Sequence, residues 1–174
     1  MKAPVQELMG LFDLEQLENN LFRGQSEANG QRSVFGGLVA GQALLAASRT
    51  VDESRPVHSL HAYFLRPGDF NIPIVYDVDR IRDGKSFTTR RVNAIQHGRP
   101  IFSLAVSYQV AEEGVCHQPP MPDVPRPEGL EHHEANRTQL VARAPEHYRH
   151  VLLLEPPLYF RPVTPQDAIY SEPK

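Results

Sequence analysis

The first candidate binding site in this 174-residue chain is a pair of adjacent glycines, Gly36 and Gly37, at the start of an apolar run. The first N–H groups of a helix are unpaired, and glycine lets a ligand approach closely, so this position could receive an anion or a carbonyl oxygen. Alternatively, the glycines only let a loop pass tightly against a strand. The sequence leaves both interpretations open.

A second candidate is the stretch RIRDGKSFTTRR at residues 80–91, which carries five basic residues and one acid around a predicted tight turn at Gly84. Arg82, Lys85 and Ser86 could bind a phosphate, because guanidinium, ammonium and hydroxyl groups all donate hydrogen bonds to phosphate oxygens. The alternative is that these charges keep an exposed hairpin soluble.

Two histidines, His58 and His61, lie three residues apart in a segment typical of a strand. On a regular strand they would face opposite sides of the sheet, so a shared zinc ion is not expected. Either ring could act as a general base, and His58 is the fallback catalytic candidate. A hydrogen-bonded structural role is favoured, because no Ser or Cys nucleophile motif accompanies them.

Two further groups are interpreted as inert. Cys116 adjoins His117, but a catalytic Cys–His pair requires contact in space rather than in sequence. Residues 131–134, Glu-His-His-Glu, match no metal-binding template, and a solvated polar face is expected there. No metal and no cofactor are therefore predicted.

The glycine pair begins a helix predicted over residues 35–48, FGGLVAGQALLAAS, which contains no acid, His, Cys or Lys. A helix that is apolar on all sides must be enclosed by protein. Its large aliphatic residues are Leu38, Val39, Leu44 and Leu45. Full burial of each would contribute about 1.5–3 kcal/mol, so this helix is expected to form the centre of the core.

The elements around this helix predict a sheet. A surface helix is expected at residues 5–17 and a short strand within 19–27, before the central helix. Four long strands are expected after it, at 56–65, 72–82, 86–96 and 100–110, with turn signals at Asp83-Gly84 and His97-Gly98. The predicted fold class is α+β: a curved antiparallel sheet wrapped around one central helix, which is the hotdog fold.

The composition changes towards the C-terminus, where eleven of the sixteen prolines lie between residues 119 and 173. Such a segment cannot build a helix or sheet interior. We predict an N-terminal hotdog domain at 1–112, a linker with a helix at 113–157, and the first strand of a truncated second hotdog domain at 158–174.

The overall charge and the apolar runs exclude several classes of protein. A net charge of −3 argues against a dedicated nucleic-acid-binding protein. No run of about 18 apolar residues exists, so no membrane insertion is expected. The single cysteine cannot form an internal disulfide, which fits a reducing compartment.

Five motifs, taken in order, resemble the N-terminal half of the acyl-CoA thioesterase II family. They are LFRGQSE, VFGGLVAGQAL, VHSLHAYFLRPGD, PIVYDVDRIRDGKSFTTRRVNAIQHGRPIF and SYQ. The resemblance implies a double-hotdog protein that hydrolyses acyl-CoA to a fatty acid and CoA, with acyl-CoA and a second hotdog domain as partners. It also implies a cytoplasmic location, or a peroxisomal one in a eukaryote. A homo-oligomer is expected, because a lone hotdog exposes a sheet edge.

The resemblance implies a catalytic Asp on the central helix of the second hotdog, with a Ser or Thr and a Gln that activate water. The helix here has apolar residues in the corresponding place, Ala43 to Ala46, and Gln42 is its only interior amide. An apolar side chain cannot accept a proton from water. No catalytic residue is therefore expected in this chain, and its expected role is to place the substrate, with the basic hairpin on the CoA phosphates.

Two other functions remain as alternatives. One is a non-catalytic acyl-CoA-binding or assembly module. The other, a hotdog hydratase or dehydratase, ranks last because the chain has no paired Asp and His motif of the kind those enzymes use.

Overall fold

Six strands pair in one antiparallel sheet within residues 6–114, the first of two compact units into which the chain divides. The computed structural model describes residues 4–27, 33–130, 141–142, 144–153, 157–158, 161 and 163. The strands are β1 (Glu15–Glu18), β2 (Leu21–Gly24), β3 (Val57–Phe64), β4 (Ile74–Asp83), β5 (Phe87–Gln96) and β6 (Arg99–Gln109). Their order across the sheet is β1-β2-β4-β5-β6-β3, so β1 and β3 form the two edges.

The connections between the three central strands are short, as the sequence predicts. Residues 84–86 join β4 to β5, and His97 with Gly98 joins β5 to β6. These two residues have φ angles of 49° and 68°. Positive φ at both central positions is typical of a tight two-residue hairpin turn.

The predicted helix over residues 5–17 is wrong in its second half. The helix that forms, α1, spans Pro4–Leu11, and the chain then turns into β1. Glu15 pairs with Arg23 of β2, and Leu17 lies on this edge strand rather than on a helix. Pairing with β2 therefore overrides the local helical spacing.

The long helix α2 (Gly36–Ser48) packs on one face of the sheet, and together they form the core. Alternate residues of β4, β5 and β6 point towards it and are buried, as expected for strands with one covered face. The largest apolar members of this inner face are Ile74, Tyr76, Phe102, Leu104 and Tyr108. The predicted arrangement of one central helix against a curved antiparallel sheet is confirmed.

The expectation that α2 is enclosed on all sides is not met within this unit. Leu38 and Val39 are buried, but Leu44 and Leu45 are only half-buried, and Gly37 is exposed. One sheet can cover only one face of a helix. The opposite face of α2 keeps apolar side chains partly open.

The second unit comprises residues 115–174 together with residues 3–5. Its described part has an exposed segment up to a short 3₁₀ turn (Pro127–Gly129), and a helix α3 (Glu146–Leu153). Arg161 donates a hydrogen bond to the carbonyl oxygen of Pro127 at 2.6 Å. The helix predicted within the linker falls on residues 130–144. Most of it lies outside the described residues, as do the histidines at 132 and 133 and most of the predicted strand from residue 158.

Among the helices of the described ranges, none is long and apolar enough to cross a membrane.

Candidate functional site

Residues 82–86, the basic hairpin, close the end of the sheet where β4 turns into β5. The side chains of Arg82 and Lys85 are exposed, and Ser86 is half-buried. Gly84 allows the turn to be tight, because a Cβ added there would lie 2.8 Å from the backbone oxygen of Phe87. The three predicted phosphate donors thus share one accessible turn.

A buried arginine, Arg90, lies beneath this turn with only 1% of its surface exposed. Its five hydrogen bonds go to Thr50 Oγ1 at 2.8 Å, Thr50 O at 3.0 Å, Arg82 O at 3.1 Å, Thr89 O at 3.0 Å and Asp83 Oδ1 at 2.5 Å. These bonds match the five N–H donors of a guanidinium. Arg90 therefore ties the residues just after α2 to the hairpin.

A second arginine, Arg55, holds the same turn from the loop after α2. Its guanidinium donates to the carbonyl oxygens of Gly84 at 2.9 Å and Lys85 at 3.1 Å, and to Thr88 Oγ1 at 3.1 Å. The carbonyl oxygens of residues 82, 84 and 85 are thus directed to two arginines, while the side chains of Arg82 and Lys85 are exposed.

Sequence reasoning missed the role of these two arginines. From the sequence, Arg90 is interpreted only as one charge of a basic stretch. Arg90 nevertheless lies two and four residues before Val92 and Ala94, on the same buried face of β5. That alternation was the available signal for its burial. No comparable signal marks Arg55, which lies in a loop.

The histidine prediction needs a correction. A bulge between Val57 and Ser59 shifts the register of β3 against β6, so His58 and His61 both lie on the outer face, away from α2. His58 Nε2 is 2.9 Å from Ser107 Oγ, and His61 contacts Tyr63. The prediction of opposite faces assumed a regular strand, which the bulge interrupts.

His58 also contacts an aromatic residue at the base of the hairpin. Its ring and that of Phe87 meet edge to face, with centroids 5.8 Å apart and planes at 67°. Phe87 directly follows Ser86, so the fallback catalytic histidine lies beside the basic hairpin.

The mouth of α2 has a different character. Phe35 precedes the helix without giving a side-chain cap, so no side chain caps the first turn. A Cβ added to Gly36 would lie 2.8 Å from Cε1 of Phe64. A cavity of about 410 Å³ adjoins this position, with Val34, Val39 and Phe102 among its apolar lining.

The two predicted substrate-binding groups lie at opposite ends of α2. Gly36 and Gly37 are at its start, whereas the basic hairpin is bound through Arg90 to Thr50, just beyond its end. A helix of 13 residues is about 20 Å long. The two groups therefore cannot hold the same atom group of a ligand.

Gln42, the interior amide of α2, is completely buried and fully bonded. Its Nε2 donates to the carbonyl oxygens of Leu11 at 2.5 Å and Gln25 at 2.9 Å, and its Oε1 accepts from the Tyr76 hydroxyl at 2.6 Å. Burial raises the pKa of the Tyr76 hydroxyl, which stays protonated and donates. This amide anchors the N-terminal segment, and its complete burial leaves it no contact with solvent water.

Across the described ranges, no three His, Cys, Asp or Glu side chains converge in a way that could hold a metal ion. Cys116 and His117 are exposed in the segment that precedes the 3₁₀ turn.

Comparison with known proteins identifies the first unit. Residues 25–109 match the family described as acyl-CoA thioesterase N-terminal domain. The chain is 41% identical over 154 residues to acyl-CoA thioesterase 2 of Haemophilus influenzae, a match that covers 88% of this chain and 54% of the relative.

Solved structures agree with this match. An acyl-CoA thioesterase II from Mycobacterium marinum is 54% identical and superimposes with a TM-score of 0.63 over 70% of this chain and 45% of that one. A protein from Alicyclobacillus acidocaldarius, described as having a hot dog fold, is 23% identical with a TM-score of 0.66. The match covers 82% of this chain and 52% of that protein. The second likeness shows the fold alone.

The chain spans about half the length of the relatives it matches. The hotdog fold and the resemblance predicted from the motifs are confirmed, and residues 25–109 match the family of acyl-CoA thioesterase N-terminal domains.

Proposed function

We propose that this chain is the substrate-placing, N-terminal half of an acyl-CoA thioesterase, which hydrolyses a fatty acyl-CoA to a fatty acid and CoA. The observation that carries the proposal is the 41% identity to a named acyl-CoA thioesterase over 88% of this chain. The basic hairpin and the partly apolar cavity at the mouth of α2 are consistent with a ligand that has both phosphates and an acyl chain.

The proposed division of labour places the general base outside residues 6–114. Thioester hydrolysis needs a group that accepts a proton from the attacking water. The sequence of α2 contains no acid, and its buried Gln42 already uses its oxygen and both amide hydrogens. In the intact enzyme the catalytic acid would come from a second hotdog domain, and this chain would need no cofactor.

Within this unit, different groups of the substrate would meet different ends of α2. The N–H groups of Gly36 and Gly37 would receive the thioester carbonyl oxygen, and the adjoining 410 Å³ cavity would take part of the acyl chain. Arg82, Lys85 and Ser86, grouped around Gly84, would bind the CoA phosphates. A separation of about 20 Å suits this arrangement, because the pantetheine arm of CoA separates the thioester from the phosphates.

The edge strand β3 is the proposed contact with the second hotdog domain or with another copy. On the side that faces α2, Leu60 and Phe64 are 53% and 65% exposed. An edge strand also offers unpaired backbone groups to a neighbouring strand. Substitution of Phe64→Lys should therefore lower the mass of the full-length protein in a sedimentation experiment if the contact joins two copies. If the contact is with the second hotdog domain of the same chain, the substitution should lower the melting temperature at constant mass. No change in either quantity would refute this contact.

A cytoplasmic location is part of the proposal. It rests on the family resemblance and on the presence of a single cysteine.

The test is thiol release from a long-chain acyl-CoA by the full-length protein. Release above the spontaneous rate supports the thioesterase. Binding of acyl-CoA without release favours the alternative, a non-catalytic acyl-CoA-binding module, which is consistent with the absence of an acid on α2. Neither binding nor release would refute both.

A matched pair of variants tests the hairpin within that assay. Arg82→Ala should raise KM for acyl-CoA several-fold and weaken its salt dependence, because a phosphate contact is lost. Arg99→Ala, an exposed arginine at the opposite end of the sheet, should leave KM unchanged. Equal KM values for the two variants would rule out the phosphate role.

A further inference from the structure

An exposed aromatic ring lies directly beside the basic hairpin. Phe87 is 43% exposed and follows Ser86 in the chain. It is paired with Gln109 of β6, and Thr88, which follows it, is buried on the inner face. The Phe87 side chain is therefore on the outer face of the sheet, where it adds nothing to the core around α2.

His58 contacts this ring. The two rings meet edge to face at 5.8 Å, and His58 Nε2 is within hydrogen-bond distance of Ser107 Oγ, at 2.9 Å. The bulge in β3 brings His58 to this face. An apolar ring with a fixed polar neighbour is the kind of surface on which nucleobases stack.

The adjacent hairpin is organised to favour an anion at its exposed side. Arg55 and Arg90 bind the carbonyl oxygens of residues 82, 84 and 85, so these partial negative charges are neutralised from within. The side chains of Arg82 and Lys85 remain exposed. A phosphate that approaches the turn would meet cationic donors whose backbone is held by three hydrogen bonds from the two arginines.

We infer that Phe87, His58 and the basic hairpin form one nucleotide site, which binds the adenosine 3′-phosphate 5′-diphosphate of CoA. The adenine ring lies against Phe87 with His58 at its border, and the phosphates lie at Arg82, Lys85 and Ser86. Arg55 and Arg90 are positioning residues for this site. The inference rests on the proposed function and adds to it a site for the adenine nucleotide of the substrate.

The same strand contains a natural control. His61 and Tyr63 form a second His–aromatic pair on the outer face, with ring centroids 4.7 Å apart and Tyr63 62% exposed. In the sheet register His61 faces Ala105, which faces Arg91, and the Arg91 guanidinium is bound to Asp79 at 2.9 Å. This second pair thus resembles the first, but the arginine nearest to it in this register is paired with an acid.

The experiment is a calorimetric titration of the full-length protein with CoA and, separately, with pantetheine, which lacks the nucleotide. Phe87→Leu keeps an apolar side chain but removes the stacking surface, and we expect it to weaken CoA binding about tenfold. Tyr63→Leu should leave CoA affinity unchanged, and neither variant should alter pantetheine binding. The 3′,5′-bisphosphate of adenosine should compete with CoA for the wild-type protein.

Three results would overturn the inference. Equal CoA affinities for Phe87→Leu and Tyr63→Leu would exclude stacking on Phe87. Failure of adenosine 3′,5′-bisphosphate to compete would exclude a nucleotide site without any use of variants. A loss of pantetheine and CoA binding in equal measure would indicate a general folding defect in place of a base contact.

These outcomes are separable from failure of the proposed function. If the wild-type protein releases thiol from acyl-CoA while Phe87→Leu binds CoA normally, the nucleotide site is wrong and the thioesterase stands. If the wild-type protein neither binds CoA nor releases thiol, both are wrong.

Discussion

Different kinds of contact surround the two ends of α2. At the hairpin end, Arg55 and Arg90 hold a turn by hydrogen bonds to its backbone. At the mouth of the helix, Gly36 lies against the exposed ring of Phe64 beside a partly apolar cavity. The hairpin end is fixed by polar contacts, and the helix mouth is shaped by packing.

Under the proposed function, this difference would let one unit place a long, two-part ligand without performing chemistry. Cationic side chains that bind phosphate must be held in position, because their hydrogen bonds to the phosphate oxygens require a defined geometry. An acyl chain needs only an apolar surface that can adjust. Substitutions at the two ends should therefore have very different energetic costs.

The largest effect is expected for Arg90→Met. It removes a buried guanidinium with five hydrogen bonds and leaves the backbone acceptors of Thr50 and Arg82 without their donor, so the free energy of unfolding should fall by about 3 kcal/mol. Urea unfolding would measure the loss. The matched control is Arg91→Met, whose pair with Asp79 is about half exposed and should contribute less than about 1 kcal/mol. Similar losses for both variants would contradict the buried role of Arg90.

A smaller loss is expected for Gly84→Ala. The new Cβ would lie 2.8 Å from a backbone oxygen, that of Phe87, so the turn itself must move. Overpacking of this kind costs about 1–3 kcal/mol. Thermal unfolding would measure it, and CoA affinity should fall at the same time because Arg82 and Lys85 move with the turn. A stable variant with normal CoA affinity would show that the turn is not held tightly.

Gly36→Ala should lower the free energy of unfolding only slightly, although the added Cβ would lie as close to a neighbouring atom as the Cβ added at Gly84. That neighbour is the ring of Phe64, which is 65% exposed and can rotate away. Alanine is also the better helix former by about 1 kcal/mol. We expect a change in unfolding free energy below about 1 kcal/mol, measured beside Gly84→Ala, and a loss larger than that of Gly84→Ala would reverse the contrast between the two ends.

The smallest effect is expected on the pH dependence of stability, through Asp69 at the helix-mouth end of the sheet. Hydrogen bonds from the backbone and side chain of Asn71 lower the pKa of the Asp69 carboxyl, and His97 adds to this. A lowered pKa in the folded state stabilises the fold above the ordinary carboxyl pKa of about 4, and this contribution is lost as the pH falls through the folded value. Asp69→Asn should therefore flatten slightly the decline in stability between about pH 5 and pH 2, and an unchanged decline would exclude Asp69 as a contributor.

The sequence predicted what depends on local pattern and turn chemistry. Residues 84–86 and the pair His97-Gly98 form tight connections where glycine signals a turn, and the apolar run from Gly36 forms the central helix. The motifs also identified the family. Alternation along the strands and glycine at turns are properties of neighbouring residues, so one chain carries that information.

The remaining features depend on contacts between distant residues. The β1–β2 pairing shortened the predicted helix at 5–17, and the bulge in β3 placed His58 on the same face as His61. The hydrogen bond partner of Arg90, Thr50, is forty residues away in the chain, and the loop position of Arg55 gives no signal at all. Half-burial of Leu44 follows from the single sheet, which no property of α2 itself reveals.

The most direct test of a substrate-placing unit is steady-state hydrolysis of acyl-CoA by the full-length protein and its His58→Ala variant. Because His58 is assigned here to the border of the nucleotide site, we predict a raised KM with kcat within about twofold of wild type. A fall in kcat of about a hundredfold or more, the scale of a lost general base, would contradict this account and would place the chemistry in this half of the protein.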